Sequence, residues 1–187
     1  NYADDKDIIF KSDDGSGGVQ TYLTIDGSLE AVTVPDTIYL AAGSGLDLSL
    51  RHDGSNSHIQ NNTGDLTIKN TSNDSDIIFQ SDDGSGGLET YFFLDGSLSS
   101  GSPFTTFPDQ SRANFGTGND MQIYHDGTNT YMYNNGGDLK IMQAKADKDL
   151  ILTCDDGSGG ETAYLTLDGS EGHLTVQKEM NFEDNVR

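Results

Sequence analysis

A short phrase, Asp-apolar-x-apolar, returns seven times along the chain. It stands at Asp7-Ile8-Ile9-Phe10, Asp47-Leu48-Ser49-Leu50, Asp65-Leu66-Thr67-Ile68 and Asp76-Ile77-Ile78-Phe79. It stands again at Asp120-Met121-Gln122-Ile123, Asp138-Leu139-Lys140-Ile141 and Asp149-Leu150-Ile151-Leu152. Alternation with period two over so few residues predicts short, half-buried strands. Leu48 and Leu50, or Leu66 and Ile68, then face a core, while Ser49 or Thr67 face water. Residues 22–25, 91–94 and 164–167 read as a further strand, with Leu23, Phe92 and Leu165, then Ile25, Leu94 and Leu167, pointing inward. Asp-Gly pairs at 14–15, 26–27, 53–54, 83–84, 95–96, 126–127, 156–157 and 168–169 separate these runs. Both residues tolerate positive φ, which makes each pair a hairpin signal. No segment shows a helical period with caps. The pattern predicts an all-β chain of short strands and Asp-Gly hairpins.

The strands fall into repeats. Residues 5–28, 74–97 and 147–170 are near-copies of one unit, A; residues 47–68 and 120–141 are copies of a second, B. Asp13, Asp82 and Asp155 are equivalent, spaced by 69 and then 73 positions, and His52 and His125 are equivalent at 73. The extra four residues read as a loop insertion around residues 101–104, which a surface loop absorbs cheaply. The predicted units are 1–34 (A1), 35–73 (B1), 74–107 (A2), 108–146 (B2) and 147–187 (A3). Glu183-Asp184-Asn185-Val186-Arg187 aligns with Pro108-Asp109-Gln110-Ser111-Arg112, the lead-in to a B unit. The expectation is a segment of a longer array. Self-similarity at such spacing marks a repeat architecture, not a one-core globule.

Composition narrows the partners. A formal charge of −21 and a pI near 4.1 exclude nucleic-acid binding through phosphates and disfavour anionic membrane surfaces. With 33% hydrophobic residues, no Trp and 23 Gly, the composition borders on that of disordered chains. The regular alternation argues for order instead. No apolar run approaches the ~20 residues of a membrane-spanning helix. Cys154, the single cysteine, stands where the other copies have Ser12 and Ser81, which reads as drift; no disulfide can form within the chain. Two inward side chains per strand are too few to offset the entropy of ordering a whole module. The apolar faces must therefore be covered by neighbouring modules or by identical chains, and exposed strand edges ask for the same. An elongated, intertwined homotrimeric fibre satisfies both demands; a single-chain β-solenoid is the alternative.

The second B unit, Asp120-Met121-Gln122-Ile123-Tyr124-His125-Asp126-Gly127-Thr128-Asn129-Thr130-Tyr131 followed by Asn134-Asn135-Gly136-Gly137-Asp138-Leu139-Lys140-Ile141, resembles a repeat of marine bacteriophage proteins. It is similar to segments of tail-fibre and fibre-like virion proteins of cyanophages and related ocean phages. Asn114-Phe115-Gly116-Thr117-Gly118 fits the same pattern, whereas Ala41-Ala42-Gly43-Ser44-Gly45 and Arg51 in the first copy depart from it. The resemblance implies a homotrimeric, extracellular virion component used in host attachment.

The Ser-Asp-Asp-Gly-Ser-Gly-Gly loops, led by Cys154 in the third copy, bring two carboxylates and several carbonyls together. Hard cations such as Ca²⁺ take six to eight such oxygens. Asp13, Asp14, Asp82, Asp83, Asp155 and Asp156 are thus the candidate calcium ligands. Neither the EF-hand spacing nor the glycine-rich nonapeptide repeat is present, and a solvated hairpin loop explains the same residues. His52 and His125 flank Asp-Gly turns, where a hydrogen bond to a neighbour accounts for them as well as a metal on a threefold axis does. Paired acids also serve glycosidases. Here they recur in every module, so no enzyme is expected and no cofactor beyond weakly held calcium. The expected role is an adhesive fibre segment on a virion, with a cell-surface glycan or protein receptor engaged by other parts of the fibre. The alternatives are a carbohydrate-binding or depolymerase module using loops such as 99–107, and a bacterial surface adhesin or filament subunit.

Overall fold

The computed structural model describes residues 2–98 and 101–181. Residues 183–187, aligned above with a B-unit lead-in, and residues 99 and 100 of the candidate recognition loop lie outside the described residues. No helix occurs among the described residues, and none is long and apolar enough to cross a membrane. Among the described residues fifteen strands pair in five separate antiparallel sheets, each made of three consecutive strands. The all-β expectation holds. The chain divides into two units, Asn1–Ser72 and Asn73–Arg187.

The first unit holds β1 (Ile8–Asp13), β2 (Val19–Asp26) and β3 (Ala31–Thr33) in one sheet, and β4 (Leu40–Ala42), β5 (Leu48–His52) and β6 (Ser57–Asn61) in another. The second unit repeats both and begins a third round. Its sheets are β7 (Ile77–Asp82), β8 (Leu88–Asp95), β9 (Phe104–Thr106); β10 (Ala113–Phe115), β11 (Met121–His125), β12 (Thr130–Asn134); and β13 (Leu150–Asp155), β14 (Glu161–Asp168), β15 (His173–Val176).

Register follows the apolar pattern. Ile8 pairs Ile25, Phe10 pairs Leu23, and Ile25 pairs Val32, so one face of the first A sheet is apolar. Ile77–Leu94 and Leu150–Leu167 repeat the pairing. Each A sheet then carries a bulge: Phe10 opposes Leu23 but Lys11 opposes Thr21, leaving Tyr22 as the extra residue. Its hydroxyl donates to the Asp13 carbonyl at 3.0 Å, as Tyr91 does to Asp82 at 2.8 Å and Tyr164 to Asp155 at 2.9 Å. The bulge turns this ring back over its own hairpin. In the second A sheet the paired aromatics Phe79 and Phe92 stack with centroids 4.5 Å apart.

Three expectations are corrected. The first concerns facing. Leu48 and Leu50 are exposed and Ser49 is 3% exposed; Gln122 at 6% and Thr166 at 8% occupy similar inward positions. These polar side chains are the ones the chain itself covers. The Arg112 guanidinium donates to Gln122 Oε1 at 2.6 Å, and the Gln177 amide donates to Thr166 Oγ1. Ile25, Leu94 and Leu167 are likewise exposed, while Leu23, Phe92 and Leu165 are half-buried. Among the described residues no hydrophobic side chain is buried.

The second concerns segments 65–68 and 138–141, which carry the strand phrase but join no ladder among the described residues. A strand needs an edge to bond to; β5 and β11 are already flanked on both sides, and the edge strands β6 and β12 take up neither segment.

The third concerns the Asp-Gly pairs. None of the eight Asp residues has positive φ, and Gly27, Gly96 and Gly169 do not either. Glycine is required there by proximity: a Cβ would lie 2.9 Å from the Lys6 carbonyl oxygen, 2.5 Å from that of Ser75 and 2.3 Å from that of Lys148.

One contact between the B lead-in and its sheet is preserved with its partners exchanged. In the first copy the Arg51 guanidinium lies 5.0 Å from the Tyr39 ring centroid; in the second, Arg112 lies 4.3 Å from Tyr124. Tyr39 is equivalent to Arg112, and Arg51 to Tyr124, at the 73-residue step. The cation and the ring have changed places.

Candidate functional site: the acidic loops and the uncovered apolar faces

Each A hairpin closes through a backbone bond, Asp14 N–H to the Gly18 carbonyl at 3.2 Å, repeated by Asp83 with Gly87 at 2.9 Å and Asp156 with Gly160 at 2.8 Å. Inside that loop the second Asp is an acceptor for the turn itself. Asp14 Oδ1 receives the Ser16 N–H and hydroxyl, both at 2.8 Å, and the Gly18 N–H at 3.0 Å. Asp83 and Asp156 hold the equivalent three donors. The first Asp accepts from the glycine two positions on: Asp13 from Gly15 at 2.8 Å, Asp82 from Gly84 at 2.8 Å, Asp155 from Gly157 at 2.7 Å. All six candidate calcium ligands therefore have one carboxylate oxygen engaged by their own loop, an Asx-turn arrangement. No group of three or more His, Cys, Asp or Glu placed to hold a metal ion occurs among the described residues.

Hydrogen bonds to the ionised form favour it. Asp14 and Asp83 are held below the usual carboxylate range chiefly by the N–H groups of Ser16 and Ser85, and Asp156 chiefly by the Ser158 hydroxyl. The next turn follows the same logic. Asp26, Asp95 and Asp168 are lowered by the Ser28 hydroxyl, the Leu98 N–H and the Glu171 N–H respectively. Those turns are also tied from a distance, since Asp7 accepts the Gly27 N–H at 3.1 Å, Asp76 that of Gly96 at 2.9 Å and Asp149 that of Gly169 at 3.0 Å. The leading Asp of each A-unit strand phrase is thus a clamp on a turn twenty residues on, which explains its return in all three copies.

In the B turns, Asp53 accepts the Asn56 N–H at 2.8 Å and faces His58 Nε2 at 2.8 Å; both lower it, the Asn56 bond most. Asp126 is lowered first by the Asn129 N–H, then by Thr128, with the Tyr131 hydroxyl in the place of His58. His52 and His125 each place Nδ1 3.1 Å from a hydroxyl across the hairpin, of Ser57 and Thr130. Cys154 is free and exposed.

Two grooves lie within the units. In the first, about 490 Å³ is walled by Val32, Val34, Ile38, Leu40, Leu50 and Ile59, with Arg51 at its side. Arg51 Nε is shielded from solvent there and has no hydrogen-bond partner. In the second unit, about 340 Å³ lies beside Tyr91, Asp109 and Arg112. The first groove continues into the exposed aliphatic face of Leu40, Leu50 and Ile59, paired across β4, β5 and β6. Ala113, Ile123 and Met132 form the matching row in the second unit. Of these rows sequence reasoning placed Leu50 against a core and Ile123 on a strand and left the other residues unassigned; the lead-in turns that close the first groove went unpredicted, their one signal being the shared Pro-Asp of 35–36 and 108–109. No protein-family model, curated protein or solved structure matches the chain.

Proposed function

We propose that this chain is a structural and adhesive segment of an extracellular viral fibre, a phage tail-fibre shaft that self-associates as a homotrimer and supports host attachment. The observation that carries the reading is the absence of any buried hydrophobic side chain among the described residues, while apolar rows recur sheet after sheet at the repeat spacing. Such faces are unstable in water unless something of the same period covers them. An identical chain in register has that period by definition. The resemblance of the B units to marine phage fibre repeats supports the same conclusion. Antiparallel three-strand meanders, each closed within its own repeat unit, favour a fibre over a solenoid, whose coils pair strands of successive repeats. The role is mechanical: repeats set reach, interchain packing sets rigidity, and a charge of −21 keeps the assembly soluble.

The test is the absolute mass in solution by light scattering after size exclusion, with calcium and then with chelator. The expected mass is three times the 20.1 kDa of the chain. A monomer overturns the fibre. A trimer that dissociates on chelation would make the Asp13–Asp14 loops and their equivalents structural cation sites; one that persists would leave them as turn caps.

A further inference from the structure

Building on the fibre reading, we infer that segments 65–68 and 138–141 are strands whose ladders are completed by another copy of this chain. Both segments alternate as strands do, Leu66 and Ile68 with Thr67 between, Leu139 and Ile141 with Lys140 between. All four apolar side chains are exposed, and neither backbone joins a ladder. The behaviour is the same in both B units. It is also not a consequence of a loose connection. Asn62 N–H donates to the Asp47 carbonyl at 2.7 Å, and Asn135 N–H to that of Asp120 at 2.6 Å. The Asn61 side-chain amide then bonds the Gly64 carbonyl at 2.8 Å, and that of Asn134 the Gly137 carbonyl at 2.9 Å. These turns launch both segments from their sheets in the same way, and no strand among the described residues takes up either backbone.

The occupant is a second copy for three reasons. Among the described residues no hydrophobic side chain is buried, and the apolar rows repeat with the period of the chain, so what covers them must repeat with that period too, as expected of an obligate assembly. Copies carrying −21 each approach only through faces free of carboxylates, and the rows Leu40-Leu50-Ile59 and Ala113-Ile123-Met132 are such faces. Finally, the outer edges of β6 and β12 pair with no strand among the described residues in either copy, at the spacing at which the segments recur. Addition of an extended segment to such an edge is a general mode of β association.

The experiment is hydrogen exchange on the intact chain, with the variant Thr67→Pro/Lys140→Pro alongside. Proline removes one ladder donor per segment and lies outside all fifteen strands. The wild-type trimer should slow exchange across 65–68 and 138–141 by about tenfold or more relative to an unstructured peptide. The double variant should lose the trimer or melt at a lower temperature. A wild-type trimer whose two segments exchange at unprotected rates overturns this inference and leaves the fibre standing. A wild-type monomer overturns both.

Discussion

At the scale of single residues, backbone strain is written twice at one place. Ile38 N–H bonds the Pro35 carbonyl at 3.1 Å and Ser111 N–H that of Pro108 at 2.9 Å, closing four-residue turns. The third residues, Thr37 and Gln110, both sit at φ 68°. That geometry suits Gly or Asn, and a β-branched side chain is the poorest choice for it. The turn survives because the Thr37 and Gln110 N–H groups each bond a carbonyl of the following sheet, at His52 and His125, both at 2.8 Å. Thr37→Asn keeps that donor and relieves the side-chain clash. It should raise stability by roughly 0.5–1 kcal/mol, read as a higher thermal midpoint. Gln110→Asn should gain less, since Gln110 is unbranched and its amide donates to the Asp126 carbonyl at 2.8 Å. Equal gains at both sites would refute the steric account.

At the scale of elements, the exchanged Arg–Tyr pair offers a cleaner test than either contact alone. A contact that persists while its partners trade places is one the two positions hold together. Tyr39→Arg and Arg51→Tyr singly should each destabilise, the first by setting two guanidinium groups side by side. The double variant, which writes the second copy's arrangement into the first, should recover most of the loss. A coupling of about 0.5–1 kcal/mol is the expected size, measured by a double-mutant cycle in denaturant; a coupling near zero would leave the exchange as coincidence. Strand existence was legible at this scale because period-two alternation is local. Facing was not. Alternation says that Leu48 and Ser49 point opposite ways, and only the tertiary environment says which of them is covered. The Asp-Gly turns were legible as turns for a reason partly different from the one inferred. Asp26 caps its turn through hydrogen bonds, and Gly27 is there because the Lys6 backbone passes too close for a Cβ. Strands β3, β4, β9 and β10, three residues each, carry too little pattern for any periodicity to register.

At the scale of the whole molecule, the carboxylates act in two opposing ways, and pH separates them. Eight aspartates, at 14, 26, 53, 83, 95, 126, 156 and 168, have pKa values lowered from 3.8 by the turns they cap. A group whose folded pKa lies below its unfolded value contributes stability that is complete above the unfolded value and is lost as pH falls through the folded one. The caps therefore weaken below about pH 3.8, where the unfolded chain takes up protons more readily than the folded one. The opposing effect is the charge of −21, whose self-repulsion eases as acids are neutralised. Exposed repulsion is screened by salt, with a Debye length of about 3 Å at 1 M, whereas direct hydrogen bonds to a capping oxygen are not. In 1 M salt the thermal midpoint should thus be flat from pH 7 to about 4.5 and fall steeply below pH 3.8, the unfolded value of the capping groups. At low salt the same fall should begin from a lower plateau and be partly offset by discharge. Asp14→Asn/Asp83→Asn/Asp156→Asn should lower the midpoint at pH 7 and flatten the acid limb, because an amide oxygen caps more weakly and does not titrate. A midpoint that climbs through pH 3 in 1 M salt would mean that the turn carboxylates hold no folding free energy, and would transfer the stability of the chain to its apolar contacts alone.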